Sequence, residues 1–434
     1  LIPRRRSGSK EVIQFASVCR MTTPPFRFGD VVDATERLQC RLRDAHSTAS
    51  NIQGIMAILQ LLSAVLLNVL VWARPVTLEA WLAAPGSLMI FGLLVFWHGM
   101  CRATMVSPFS YVVLLLQCFI RLGLGESVLV KAITFLMVLL ATAVNQRSLE
   151  NCVHEASHHT LYHSAHLNGC SPPGHKDKVF AAPSNRLEQV QQDIATMFAA
   201  MVFKDIQAYH ESHSIHHRHF GDAARDPDYS IYERTKVTRG VEVARVTLCW
   251  YWDNFHAAAE FTSQVARRSG WRLALAGLVA ALAALVGSAE VAEVTSVWVL
   301  AYLFVLPPLR MIAEQEEHAR LIPDREAFVA WMKQDSRYLC KWDQLNAEEQ
   351  NAFVNEHLGK LQWTMSRTNA GRLHRWIFHP CGDGWHAVHH LSARVPFYRL
   401  QAAHQELEAM EPIFKALCHR NTALITCAFD WRRI

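Results

Sequence analysis

The chain has 434 residues, 51% of them hydrophobic and 19% charged, with a mean hydropathy of +0.07. That is too apolar for an ordinary soluble protein of this length and calls for membrane spans. The formal charge of +5 does not suggest nucleic acid and fits basic residues at membrane edges. The eleven cysteines are scattered and odd in number, without a C-x-x-C pair, which argues against a disulfide framework and for a reducing cytosolic face.

The first methionine is Met21, so residues 1–20 read as an upstream extension or an incompletely defined start, with no signal peptide recognisable there. Residues 21 to about 50 are polar, with a short amphipathic helix expected from Val31 to Arg43. Ile52–Ala73 and Ala80–Met100 follow as uncharged segments, each long enough for the ~20 residues that cross a ~30 Å hydrocarbon layer. Ala103–Ile120 and Ser127–Asn145 are the third and fourth apolar segments. Only Cys101–Arg102 separates the second from the third, so one of that pair can be re-entrant. A polar stretch runs from Gln146 to Arg272. Two further apolar segments, Leu273–Ala289 and Val294–Ile312, come next, and Pro307 and Pro308 are expected to kink or end the sixth. Everything after Arg320 is polar or amphipathic. No solenoid repeat or low-complexity tract is present.

Histidine carries the chemistry. In His210–Asp228, HESHSIHHRHFGDAARDPD, the residues His213, His216 and His217 stand at i, i+3 and i+4 and leave one helix face. His210 lies one turn earlier on that face. His386, His389 and His390 repeat the H-x-x-H-H spacing, and His154, Glu155, His158 and His159 form a related box. Imidazole suits Zn, Cu, Fe and Ni, and several convergent rings need a cation to justify crowding them. His159 would point roughly 140° from His154 on a helix, which suits an outer role or a ligand beyond an unwound helix end. His163, His166, His175, His219, His256 and His374 match no box spacing and read as ordinary polar residues.

Two rivals compete for the first box. His154-Glu155-Ala156-Ser157-His158 satisfies H-E-x-x-H, in which two histidines bind zinc and the glutamate activates water. A zinc metalloprotease needs one more ligand and gives no reason for two later triplets. Eight spaced histidines (His154, His158, His213, His216, His217, His386, His389 and His390) exceed the four of a tetrahedral zinc and imply two metal ions. Carboxylate-bridged di-iron bundles need two E-x-x-H motifs, and only Glu155-x-x-His158 is convincing here. A non-enzymatic metal carrier would place ionisable residues within the spans, which hold almost none. Glu155, Glu211, Asp222, Asp226, Asp228 and Asp383 are the acids placed to orient ligating rings. Asp226-Pro227-Asp228 reads equally as a loop turn.

The words around the boxes are HEASHHTL, HHRHFGDAARDPDY and GDGWHAVHHLSARVPFYRL. Their order, with two apolar segments between the second and third, resembles the integral-membrane fatty acid desaturase and hydroxylase superfamily over roughly Ser127 to His404. The resemblance implies a non-haem di-iron centre that uses O₂ and two electrons to break an unactivated C–H bond. It also implies an all-α integral membrane fold, a small bundle of four to six spans with a cytosolic helical cap bearing the boxes. A further ligand after the last span is implied at His318, with Glu314 one turn earlier as ligand or hydrogen-bond partner. The expected organisation is a polar segment 1–50, spans in 51–146, cytosolic 147–270, a membrane hairpin 271–313 and cytosolic 314–434. Even span numbers put all three boxes on one side, the cytoplasmic one by the positive-inside rule. Desaturation of a fatty acyl lipid is the expected reaction. Hydroxylation or ketolation of a fatty chain or carotenoid-like substrate is the alternative. His379-Pro380-Cys381-Gly382 resembles a haem-binding His-Pro motif, but too few residues surround it for a cytochrome domain. Electrons are therefore expected from a separate ferredoxin, rubredoxin or cytochrome b5 type donor.

Overall fold

The computed structural model describes residues 26–46, 56, 60, 68, 72, 108–125, 127–158, 186–231, 244–264, 289–318 and 325–421. The apolar segments 52–73, 80–100 and 273–289 fall almost wholly outside these residues, as do His159, His163, His166 and His175.

The described chain is overwhelmingly helical. Helix α1 (Phe28–His46) covers the expected amphipathic helix. It buries Val31, Leu38 and Leu42 in the main core, and the Trp363 indole N–H donates to Thr35 Oγ1 at 2.9 Å. Helix α2 (Phe109–Leu124) lies against α3 (Val128–Ser157), whose N-cap Ser127 accepts the Val130 N–H. Thirty residues of α3 extend for about 45 Å. Its two halves face different surroundings. Val128, Leu129 and Leu136 near its start are 86%, 69% and 66% exposed, whereas every residue from Ala141 to Ser157 is buried. That buried half carries Asn145, Arg147, Glu150 and His154, so the fourth apolar segment and the first box are one continuous helix. A large exposed apolar surface leading into a buried polar end suits a helix that leaves lipid and enters a site.

Helices α4 (Arg186–Met201) and α5 (Ile206–His219) follow, then α6 (residues 244–264). The sixth apolar segment is α7 (Ala289–Leu300), a π-helical turn over Ala301–Val305, and α8 (Leu306–Glu317). The segment does not end at Pro307 and Pro308: helix continues through them, directly after the π-helical turn. Two carbonyls that the prolines cannot serve are taken by α6. Tyr302 O, five residues before Pro307, accepts the Asn254 amide at 2.7 Å. Phe304 O, four before Pro308, accepts the Tyr251 hydroxyl at 2.8 Å. The π register and these two side chains thus replace the missing N–H donors. Val128–Ser157 and Ala292–Glu314 are the two described helices long and apolar enough to cross a membrane.

The C-terminal part packs α9 (Arg325–Lys333), α10 (Ser336–Trp342) and α11 (Ala347–Leu361) beside α1, with a capping box from Asn346 and Glu349 opening α11. A 3₁₀ turn, Gln362–Met365, leads to β1 (Arg367–Asn369), then α12 (Arg372–Phe378), α13 (His386–Leu391), α14 (Leu400–Met410) and α15 (Pro412–Leu417). The chain then forms β2 (His419–Asn421), which pairs in parallel with β1, Arg367 opposite His419. This three-residue ladder is a small departure from the all-α expectation. Its use is local, holding the segment before the third box.

Candidate metal centre

Four elements bring nine histidines together. His154 lies in the last turn of α3, and His158 caps that helix with its own N–H bonded back to His154 and Glu155 carbonyls. Asp205 caps α5 by accepting the Ala208 N–H, which sets the register of His213, His216 and His217. His318 ends α8, and α13 carries His386, His389 and His390.

The rings form two sets. Ring nitrogens of His154, His158, His213, His217 and His389 lie within 4.8 Å of one another, as do those of His216, His318 and His390. His386 joins the second set, its Nε2 at 2.8 Å from His318 Nε2 and 3.0 Å from His390 Nε2. Each H-x-x-H-H box is therefore divided. In α5 the i and i+4 residues enter the first set and the i+3 residue the second. In α13 the i and i+4 residues enter the second set and i+3 the first. On a helix, i+3 and i+4 fall on opposite sides of i, so one box can serve two neighbouring ions.

Proton placement makes the second set a donor site. His318 Nδ1 faces the Met365 carbonyl at 3.3 Å, and a carbonyl only accepts, so Nδ1 holds the proton. His216 Nδ1 donates to Asp226 Oδ1 at 3.0 Å, and His390 Nδ1 to Gln362 Oε1 at 2.5 Å. The proton of each neutral ring is thus outside, and the Nε2 lone pairs of His318 and His390 meet at 2.9 Å. Lone pairs at that distance repel unless a cation lies among them. Nitrogens about 2.1 Å from one ion and at right angles to each other stand ~3.0 Å apart. The Nε2 spacings of the first set fit: 2.9 Å for His158–His213, 3.0 Å for His213–His217 and 3.3 Å for His217–His389.

Burial and mutual repulsion hold the pKa values of His213, His217, His318, His386, His389 and His390 well below the usual imidazole range, which leaves the rings neutral and able to ligate. His216 is the exception. Burial opposes its charged form, but the hydrogen bond to Asp226 and the charge of Asp228 outweigh that and raise its pKa.

The expected outer acids divide as well. Asp226 is both turn and orienter: Oδ1 takes His216 and the Asp228 N–H, while Oδ2 accepts the Gly221 N–H at 2.9 Å. Asp228 lies 3.6 Å from His216, and Asp383 Oδ1 is 3.8 Å from His386 Nδ1. Glu155 Oε2 accepts the Phe397 backbone N–H at 3.0 Å. Asp222 takes Asn355, and Glu211 takes Gln207 at the surface. His210, which shares the face of its box, is not among the nine. Its Nδ1 faces Ser157 O at 2.7 Å and its Nε2 faces Ser214 Oγ at 3.1 Å. Glu314 stands 3.8 Å from Arg147 and outside both sets. Gln362 and the Met365 carbonyl orient His390 and His318 without any sequence signal, since neither side chain type nor spacing marks them.

A polar cavity of about 60 Å³ opens beside the two sets. It is lined by His154 and His213 of the first and His216, His318 and His386 of the second, with Arg147, Glu150, Lys204, Tyr209, Asp228, Glu314, Glu317 and Asp383.

No curated protein and no solved structure matches the chain. The model of the fatty acid desaturase family matches residues 182–421, which hold the second and third boxes and His318. His154 and His158 lie before the match, yet they face His213 and His389 in the structure. With more than half of its length matched, the chain belongs to the fatty acid desaturase family.

Proposed function

We propose that this chain is an O₂-dependent acyl-lipid desaturase of the membrane that holds two iron ions, one in each histidine set. The observation that carries the reading is the convergence of nine ring nitrogens in two sets, with protons held on the outer side of the rings that border Asp226, Gln362 and Met365. The chemistry such a pair supplies is reduction of O₂ to water with two external electrons and two protons, while two hydrogens leave adjacent chain carbons.

The chain's own residues do the rest. Asp226 and Met365 O fix the tautomers and directions of His216 and His318, and Gln362 does the same for His390. The polar cavity suits the protons and water that the balance requires. An acyl chain in it would leave charged groups without solvent, so the substrate tail approaches the two sets from another side. Electrons come from a ferredoxin, rubredoxin or cytochrome b5 type partner. In this reading the regions 51–146 and 271–313 contain the spans, and 147–270 and 314–434 carry the boxes on the cytoplasmic side.

A zinc protease would need Glu155 turned to a metal-bound water, whereas its carboxylate holds the Phe397 backbone. The test is iron counted per chain in detergent-purified protein, then lipid products after supplying O₂ and a reductant. About two irons and a product lighter by two hydrogens are expected. One zinc with O₂-independent cleavage would refute the reading, and a product heavier by one oxygen would replace desaturation by hydroxylation.

A further inference from the structure

The segment that leads into the third box has an unusual interior. Ser366, Thr368, Asn369, His374 and His379 are each 0% exposed, in a stretch made of a four-residue 3₁₀ turn, a three-residue strand and a seven-residue helix. Elements so short and so polar inside need something other than an apolar core to fix them. Their buried histidines meet a carboxylate of α8. Glu316, His374 and His379 each offer an atom within 4.8 Å of the others, and none belongs to the two sets described above. Glu316 Oε2 contacts His374 Nε2 directly and lies 3.9 Å from His379 Nε2, which is 3.2 Å from the Asn369 side-chain amide.

The environment of His379 calls for a positive charge. Its Nδ1 faces Glu317 Oε1 at 3.5 Å and Asp383 Oδ2 at 3.8 Å, while its Nε2 faces Glu316. A neutral ring has one proton, so one of its nitrogens turns a lone pair toward a carboxylate. The Asn369 amide nitrogen also donates to the Glu316 carbonyl at 3.4 Å, and a half-turn of the amide presents its oxygen to the site at the cost of that long bond.

We propose that Glu316, His374 and His379, with the Asn369 amide oxygen as fourth donor, bind one divalent cation of the zinc class as a structural staple. Two imidazoles and two oxygens make a donor set zinc accepts, and closure from solvent is the mark of a structural rather than a catalytic site. Donors ~2.1 Å from a tetrahedral ion stand ~3.4 Å apart; the separations of 3.2 and 3.9 Å bracket that value, and the Glu316 carboxylate, closer than this to His374, would move back from that ring to admit the ion. The ion would tie α8, β1 and α12 together where His318 ends and the third box begins. This inference does not depend on which metal fills the two histidine sets. The competing source of positive charge is a proton, making His379 an imidazolium.

Counting all metal ions per chain in the purified full-length protein separates the two. Three in total are expected, whatever the division between iron and zinc, and His374→Gln and His379→Gln should each hold one fewer at unchanged iron. A wild-type total of two overturns the proposal and leaves the di-iron reading intact. Unchanged totals in both variants overturn it as well. The wild-type count decides even where a variant fails to fold. Absence of iron with one zinc lost in either variant would sink the di-iron reading alone.

Discussion

Asp226→Asn isolates one outer hydrogen bond of the second histidine set. The Asp226 side chain is fully buried and serves three donors: His216 Nδ1 at 3.0 Å, Asp228 N at 3.0 Å and Gly221 N at 2.9 Å. Asparagine keeps the shape but offers one oxygen. Its cheaper orientation keeps that oxygen on His216 and Asp228 and turns the NH₂ toward the Gly221 N–H. One buried donor then loses its acceptor, at about 1–3 kcal/mol. The bond to His216 also loses its charge assistance, and outer partners of this kind are worth about 10- to 100-fold in metal affinity. That range equals ~1.4–2.7 kcal/mol, the same size as the first estimate. Competition with a chelator of known affinity reads the loss directly, with the first set as internal control. Affinity equal to wild type in Asp226→Asn, alongside metal loss in His216→Ala, would refute the role given to Asp226.

The other expectations concern single side chains. His318→Ala should empty the second set, whereas His210→Ala should retain the full metal complement, as its ring faces Ser157 and Ser214; metal counting checks both. Glu155→Gln can still accept the Phe397 N–H, so turnover should fall by no more than roughly tenfold, while a zinc protease would lose all activity. His404 is buried against Trp385 and Phe414, and desolvation lowers its pKa to about 4. The unfolded chain protonates it from about pH 6.5 downward, so its stability contribution is complete above that value and is lost as pH falls toward 4. The loss is about 2 kcal/mol by pH 5, and the difference in Tm between pH 7 and pH 5 should shrink in His404→Leu. An unchanged difference would show that His404 does not titrate in this window.

How much of the site could be read from the chain follows from its periodicities. The boxes were legible because H-x-x-H-H on a helix puts three rings on one face, and α5 and α13 are the helices this requires. His318 was legible through the family resemblance alone. His210 shares the face of its box, but one turn of helix carries it from the two histidine sets to the end of α3, where Ser157 O meets it. Helical spacing gives direction and not reach. Gln362 and Asn369 could not be found, because each acts across a fold in which distant segments meet. His374 looked ordinary, and His379 was noticed only for a His-Pro stretch, for the same reason: their partner Glu316 lies on another element. The sixth segment does not end at its prolines because the rule for proline concerns a helix alone. Here α6 supplies two donors to the carbonyls that the prolines leave open.

The buried charges explain why these segments keep their mutual positions. Arg147, on the inner half of α3, reaches Glu317 Oε1 at 3.1 Å and Asp383 Oδ2 at 3.0 Å. One guanidinium therefore refers the helix of His154 and His158 to the helix end that bears His318 and to the turn before His386. Glu150 of the same helix engages Arg310 and Lys204, at 3.2 Å for the lysine, which adds α8 and the entry to α5. Pairs so deeply buried contribute little net stability, because desolvation offsets most of their attraction. Their geometry is nonetheless exact in one respect that a hydrophobic contact is not: a guanidinium satisfied by two carboxylates has one position, whereas apolar surfaces can slide. Two ions held by rings from four separate elements, as proposed, would need that kind of reference. The polar inner half of α3 is thus not an interruption of an apolar helix but the part of it that sets the spacing of the two histidine sets.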